Sequence, residues 1–386
     1  MVTSVPRQSV GIEFGMTNSS IARIDDHGHP VTVPDSHGWN WKPSVVLLGD
    51  DGKVVVSPSL ERTVVEDPAN VIETIKRQFG NPDWFKEYQG HKLTPEFVAA
   101  LILKDVQQNA AGLVDPNANV VLAVPESFDG IQQRAMHNAG RIAGMRVIGL
   151  ITEQAAAALY YFWQQCQLSV RGFHEYLLYH GAKQTDHPRY LLVFTLGGRC
   201  FNVSVMRFNS AKLEMIATRS DLFLGGHDWT SLLRKHASEQ FALDFCDHDP
   251  RTDNVSWLML NDACETAKQK LSTESSAKIG VEFRGKSRTI SLTQEAFEQM
   301  TSELLEQTWD ATISTLQQAN LGSEHLEAIL LVGGATQMPA VTRMFERRWN
   351  RSPATSVDPT AVVSLGAAIH AALLEMKWRN TDSELG

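Results

Sequence analysis

Residues 190–208 read YLLVFTLGGRCFNVSVMRF: an apolar strand, a turn on Gly197 and Gly198, then a strand in which apolar and polar residues alternate. Residues 9–25, SVGIEFGMTNSSIARID, follow the same plan around Gly15. Gly15 and Gly197 stand 182 positions apart in a chain of 386, close to half its length. A strand–turn–strand unit repeated at that spacing predicts two related lobes, each opening with a hairpin.

The segments between and after the hairpins extend this reading. Residues 119–124 (NVVLAV) predict a strand ended by Pro125, 132–143 a helix, and 146–151 a further strand. Thr152 is placed to cap an alanine-rich helix over 154–161. The second half adds a helix over 257–271, a strand pair at 278–283 and 287–292, and one long amphipathic helix over 293–320. A strand at 326–332 runs into Gly333 and Gly334, which open a helix, and a last helix covers 364–378. Strands alternating with helices in both halves predict an α/β protein with mixed sheets.

Composition narrows the function. The chain is 43% apolar and 20% charged, with 35 basic against 44 acidic side chains and a net charge of −9. That length suits two units of ordinary domain size. A chain this acidic lacks the footprint of a phosphate-backbone binder, so no nucleic-acid partner is expected. Cys166, Cys200, Cys246 and Cys264 form no CxxC pair and no zinc or disulfide framework. The N-terminal residues lack an apolar signal core, and the longest apolar run, 155–163, is half a membrane span. The expectation is a soluble, cytoplasmic protein without a membrane partner.

Three turns place glycine where a strand ends: Gly15-Met16-Thr17, Gly197-Gly198 and Gly333-Gly334. Glycine lets backbone approach a ligand, and N–H groups exposed there bind phosphate oxygens. One such turn means little. Three, in corresponding places of two lobes, point to a nucleotide gripped between hairpins. Neither GxxxxGK[ST] nor GxGxxG occurs, so P-loop and dinucleotide folds are excluded.

Over roughly residues 9–375 the chain resembles the ATPase domain of the 70-kDa heat-shock chaperones (DnaK type), of the actin and sugar-kinase superfamily. GIEFGMTNSSIA is similar to that family's first phosphate loop, G-I-D-L-G-T-T-N-S, and ETIKRQFG to its lysine helix. LLVFTLGGRCFNVSV is similar to the second loop, F-D-L-G-G-G-T-F-D-V-S. VLAVPESFDGIQQRAMHNAGRIAGMRVIGLITEQAAAAL, DLFLGGHDW, ETAKQKLS, ILLVGGATQMPAV and VDPTAVVSLGAAIHAAL follow in the family's order.

The resemblance implies an actin-like ATPase fold. Its first lobe would be residues 1–189 and 355–386, with an outer subdomain at about 45–92. Its second lobe would be 190–354, with an outer subdomain at about 222–292. ATP or ADP would lie between the lobes. Gly15, Met16, Thr17 and Asn18 would face its phosphates from one hairpin, Gly197 and Gly198 from the other. Lys76 would orient the attacking water, Glu153 would join the magnesium and water network, and Gly225 and Gly226 would approach sugar and phosphates. Glu265, Lys268 and Ser272, spaced by three and four on one helical face, would hold ribose and adenine, with Gly333 and Gly334 beneath. Co-chaperones, an exchange factor or a larger chaperone assembly are the implied partners. Nothing after the last helix resembles the family's leucine-rich linker or its peptide-binding domain, which leaves a stand-alone ATPase-like domain or a fragment.

Departures from the family pattern fall at the chemistry. Glu13 stands for the first-loop aspartate and Met16 for its threonine; Thr195, Arg199, Cys200 and Asn202 replace aspartate, glycine, threonine and aspartate in the second loop. Phosphoryl transfer needs charge neutralisation, usually by Mg2+ held through hard anionic oxygens, and a positioned nucleophile. Thr195 and Asn202 remove two negative charges, and the extra methylene of Glu13 shifts a water by about an ångström, enough to cost about 10²-fold in rate. The favoured expectation is a pseudo-ATPase that binds ATP or ADP and hydrolyses weakly or not at all, with no metal ligand assigned. The alternative is an active ATPase domain that cycles with J-protein and exchange partners, with Glu13, Lys76 and Glu153 sufficient. Arg199 either substitutes for magnesium charge at the phosphates or is a solvent-facing turn residue.

Gln269 and Gln337 stand where the family has arginines that flank adenine, and Gln133 precedes Arg134 at a position linked to the interdomain linker. Residues 166–188 form a longer connection than usual, with Phe173, Tyr176, Leu177, Leu178 and Tyr179 spaced for an apolar helix face. His27 and His29 are read as a hairpin turn, and Asp244, Asp247, Asp249 and Asp253 as a solvated loop lacking the glycine and glutamate of an EF-hand.

Overall fold

The computed structural model describes residues 8–58, 70–110, 112–182, 188–209, 212–246 and 248–384. Parts of the expected outer subdomain at 45–92 and of the 166–188 connection, and Asp247, lie outside the described residues.

Two mixed sheets organise the chain, and they share a plan. In the first, Ser9–Phe14 pairs antiparallel with Asn18–Ile24, which pairs with Pro30–Thr32 and Lys42–Pro43. On its other edge Ser9–Phe14 runs parallel to Asn119–Val124, and that strand parallel to Arg146–Thr152. In the second, Arg189–Leu196, Phe201–Asn209 and Lys212–Asp221 form an antiparallel meander, and Leu326–Val332 runs parallel to Arg189–Leu196. The internal repeat is thus real in space. In each sheet a meander opens the unit, a parallel strand flanks its first member, and a glycine follows that member directly.

The strands form where apolar residues are dense because both sheet faces are covered. Asn119–Val124 is buried along its whole length. Asp129 caps the helix Gly130–Ile142 in a capping box with Gln132, worth about 1 kcal/mol. Thr152 accepts the Ala155 N–H at 3.3 Å and starts Glu153–Cys166, which Gln167 ends in the left-handed region at φ 52°.

Each sheet has its own core: Val10, Ile12 and Val120 with the helix Pro95–Asn109 in one, Phe194, Trp229 and Phe345 in the other. A third core joins them. It unites Val121 and Ala123 of the first sheet with Leu191 and Leu330 of the second through the helices Glu153–Cys166 and Val362–Glu384. Alanine and glycine let these helices approach closely: a Cβ on Gly366 would lie 1.9 Å from the Ala156 carbonyl oxygen, and one on Gly11 would lie 2.2 Å from the Ala368 nitrogen.

Two expectations need correction. Residues 293–320 form two helices, Gln294–Met300 and Ser302–Gln318. They divide at Thr301, which is buried and turns its hydroxyl back to the Phe297 carbonyl at 2.9 Å. The 166–188 connection does contain a helix, Val170–Ala182, with Phe173 fully buried and Tyr176 and Leu177 packed on the shared core. Leu178 and Tyr179, however, point outward, each 58% exposed. Among the described residues, no helix is long and apolar enough to cross a membrane.

Candidate functional site

The two hairpin tips meet. A Cβ on Gly198 would lie 2.4 Å from the Thr17 hydroxyl, so glycine at 198 is what lets the turns touch. Thr17 and Asn18 are exposed, Gly15 and Met16 half-buried. The second tip is pinned from behind: the Gly226 and His227 N–H groups donate to the carbonyls of Gly197 (2.9 Å) and Gly198 (2.7 Å). The first turn of the helix Gly226–Asp244 is therefore docked on the loop, and Gly225 lies against the backbone of Arg199 and Cys200.

Beneath the tips lie the charged groups. Lys76 sits in a short 3-10 helix, Ile75–Gln78, rather than the solvated helix its type alone suggests. Its side chain is 2% exposed, and its ammonium lies 2.7 Å from the Glu153 carboxylate. Glu153 opens its helix, where a carboxylate suits the positive end of the macrodipole. Glu13, near the end of its strand, accepts a hydrogen bond from the Ser20 hydroxyl at 3.3 Å. Burial, reinforced by the nearby Glu153 carboxylate and only partly offset by Lys76 and Ser20, pushes Glu13 up to about 8. Cys200, within electrostatic reach of Glu153, Lys76, Arg77 and Glu13, is pushed up by burial to about 11 and is a thiol, not a thiolate.

Thr195 and Asn202 face one another across the second hairpin and are both buried. The Asn202 amide donates to the hydroxyls of Thr218 (3.1 Å) and Ser220 (2.6 Å), while its carbonyl accepts from Ser204 at 2.9 Å. The Thr195 hydroxyl is buried with no hydrogen-bond partner among the described residues. This donor set is a poor match for a divalent cation, which takes hard anionic oxygens: Thr195 offers a hydroxyl, the Asn202 amide is already engaged, and the Glu153 carboxylate is paired with Lys76. Among the described residues, no group of three or more histidines, cysteines, aspartates or glutamates is arranged to hold a metal.

Arg199 is not free in solvent. It reaches from the second hairpin to Glu73, 2.6 Å away, on the segment before Lys76. Arg77 reaches the opposite way, donating to the carbonyls of Arg199 (2.8 Å) and Leu222 (2.5 Å), with its guanidinium 5.5 Å from the Phe223 ring. Sequence reading missed Glu73, Arg77, Leu222 and Phe223. The partners are more than a hundred residues apart, and no local pattern marks them.

On the far side, Lys268 directs its ammonium at the Gly226 carbonyl (2.8 Å), the Thr230 hydroxyl (2.9 Å) and Glu265 (2.7 Å). Burial works to raise Glu265, but Lys268, Thr230 and Gln269 together hold it below the ordinary carboxylate range. Glu265 and Lys268 lie on the helix Asn254–Leu271, which Ser272 caps while its hydroxyl donates back to the Lys268 carbonyl at 3.3 Å. Gly333, at φ 89°, abuts the end of Arg189–Leu196: a Cβ there would lie 2.5 Å from the Leu196 carbonyl oxygen. Gly334 opens the 3-10 helix Gly334–Gln337, whose Ala335 packs against Gly226. The glycine turns, Lys76, Glu153, Glu13, Thr195, Asn202, Glu265 and Lys268 thus form one contiguous region; Ser272 is turned into its own helix.

Two mixed sheets of one plan, joined by shared helices and meeting at their hairpin tips, define the two-lobed actin-like ATPase fold. The sequence profile of the Hsp70 protein family matches residues 9–87 and 81–385, and the chain belongs to that family. It is 33% identical over 374 residues to the chaperone protein DnaK of Mycoplasma mobile, covering 95% of this chain and 58% of that protein. It is 32% identical over 373 residues to the DnaK of Thermotoga neapolitana, covering 95% and 59%. The chain therefore spans less than two thirds of the length of these relatives.

Proposed function

We propose that this chain is an ATP- and ADP-binding module of the Hsp70 family in which hydrolysis is weak or absent. It acts on protein partners, of the co-chaperone, exchange-factor or chaperone-assembly kind, through its nucleotide state or its fixed fold. In this reading Gly15, Met16, Thr17, Asn18, Gly197 and Gly198 cradle the phosphates, and Gly225 and Gly226 approach from the second lobe. Glu265, Lys268, Ser272, Gly333 and Gly334 hold the nucleoside. Residues 1–189 with 355–386, and 190–354, are the lobes that enclose it.

The observation that carries the reading is the neutral lining of the catalytic face. Thr195 and Asn202 carry no charge, burial and the nearby Glu153 raise the Glu13 carboxyl, and Glu153 is paired with Lys76 at 2.7 Å. Phosphoryl transfer depends on preorganised charge around the phosphates and on a base or acceptor for the attacking water. Losing a single preorganised group of this kind costs about 10²-fold or more in rate. Lys76 and Glu153 remain able to orient a water, but the Glu153 carboxylate is already hydrogen-bonded to the lysine.

The test is the rate of ATP hydrolysis, with and without Mg2+, for the parent and for the Thr195→Asp/Asn202→Asp variant. A parent rate at least 10²-fold below that of a full DnaK, and a magnesium-dependent gain in the variant, is the expected result. Parent turnover equal to DnaK would replace this reading by that of an active chaperone ATPase domain.

A further inference from the structure

Arg199 brings a guanidinium to the second hairpin tip, and Arg77 reaches that tip from the 3-10 helix Ile75–Gln78. Arg199, where the resemblance places a glycine, sits between Gly198 and Cys200 on the loop that touches Thr17. Its side chain is 28% exposed and its partner, Glu73, is 45% exposed. Arg77 spends its hydrogen bonds on two neutral carbonyls, those of Arg199 and Leu222. Arg77 and Arg199 thus bring two positive charges to the cleft mouth against the carboxylate of Glu73, while Lys76 and Glu153 pair beneath them. Nearby Thr195 and Asn202 contribute none.

A nucleoside triphosphate without its metal carries a large negative charge, and a site lined with carboxylates repels it unless a divalent cation intervenes. Here residues 195 and 202 carry no carboxylate, and a guanidinium stands on the loop. Guanidinium matches phosphate in the same forked geometry with which it binds carboxylate. The Glu73 carboxylate therefore occupies the partner position a phosphate oxygen would take. The pair is partly exposed, and ion pairs of that kind are weak enough to exchange.

We infer that this site binds nucleoside polyphosphate without a divalent cation, Arg199 leaving Glu73 for the phosphate, and Glu73 holding the guanidinium across the cleft while no anion is present. The inference rests on the nucleotide-binding reading above and adds to it the metal requirement and the residue that sets it. The structure gives Glu73 a double part: it ties the lobes together, and it competes with the ligand.

Calorimetric titration of ATP into the full chain, in EDTA and in excess Mg2+, tests both readings separately. For the parent, the two Kd values are expected within about threefold. Arg199→Gly weakens binding in EDTA by tenfold or more, and Arg199→Lys by less, because a lysine keeps the charge but loses the fork. Glu73→Gln tightens binding in EDTA severalfold, since the competing anion is gone. A merely structural clasp would move Glu73→Gln and Arg199→Gly in the same direction, and that result overturns the inference. So does a parent that binds ATP in Mg2+ but not in EDTA, which leaves the nucleotide reading standing. No binding in either buffer overturns both. Thermal melts of each variant identify any that fails to fold, and the parent and Glu73→Gln titrations decide the matter without Arg199→Gly.

Discussion

Asn202 lies directly opposite Thr195 across the second hairpin, and its amide is held on both sides by the hydroxyls of Thr218, Ser220 and Ser204. The network is complete without charge. Its register partners, Ser220 opposite Asn202 and Thr218 opposite Ser204, come from the third strand of the meander. Neutral hydroxyls thus surround the position where the resemblance places a carboxylate.

Magnesium should accordingly leave the parent's thermal stability unchanged, with Tm moving by less than about 1 °C between EDTA and excess Mg2+. In the Thr195→Asp/Asn202→Asp variant, two carboxylates face each other and repel when no cation is present. The variant is expected to melt several degrees below the parent in EDTA and to recover part of that loss on adding Mg2+, as ligand-linked stabilisation requires. Differential scanning calorimetry checks it; a variant indifferent to Mg2+ would show that the face cannot be converted.

Breaking the Lys76–Glu153 pair leaves a charge where water is scarce. Lys76→Ala and Glu153→Gln are each expected to destabilise the fold by about 3 kcal/mol, because the remaining partner stays buried and unmatched. Replacing both together by apolar residues of similar volume should recover most of the loss. Urea titrations of the two single variants and the double variant measure the coupling; additive losses would show that the pair is not a unit.

Glu13 makes a pH prediction whose sign is set by its raised value. Between its ordinary value of 4.5 and about 8, the folded chain holds a proton on Glu13 that the unfolded chain has released. Stability therefore falls as pH rises through that window, by up to about 1.4 kcal/mol per unit for this one group, and levels off above it. Glu13→Gln, which mimics the protonated side chain, should remove that slope. The difference in unfolding free energy between parent and variant, followed from pH 5 to 8.5, reports it. A flat difference would mean that Glu13 ionises normally in the cleft.

The core shared by the two sheets tolerates no added methyl at Gly366. An alanine there would bring its Cβ to 1.9 Å from the Ala156 carbonyl oxygen, a backbone atom that cannot rotate away. The helices Glu153–Cys166 and Val362–Glu384 would have to separate, with an expected loss of about 3 kcal/mol or more. Gly38, with nothing near its Cβ but a positive φ of 84°, serves as a control that strains the backbone alone and should cost less. Chemical denaturation of the two variants ranks them.

Much of this architecture is written locally. Alternation of period two marks both hairpins because a strand's faces are set by neighbouring residues, and the repeat emerges from Gly15 and Gly197 alone. The residues at 13, 195, 199 and 202 are legible as letters of the two hairpins. Residues 293–320 show where such reading stops. Their helical period continues through Thr301, and only the buried environment that draws its hydroxyl back to Phe297 divides the helix.

The sequence by itself determined the two related lobes, the glycine turns and the neutral residues at 195 and 202, since each is a pattern of near neighbours. Tertiary structure alone decided what those letters do. The Glu13 carboxyl is raised because strands and helices far apart in the chain desolvate it and bring Glu153 beside it. Arg199 is a cross-cleft partner of Glu73 because folding joins residues 126 positions apart. Charge states and long-range pairs depend on burial and distance in space, and neither quantity is a property of a stretch of chain.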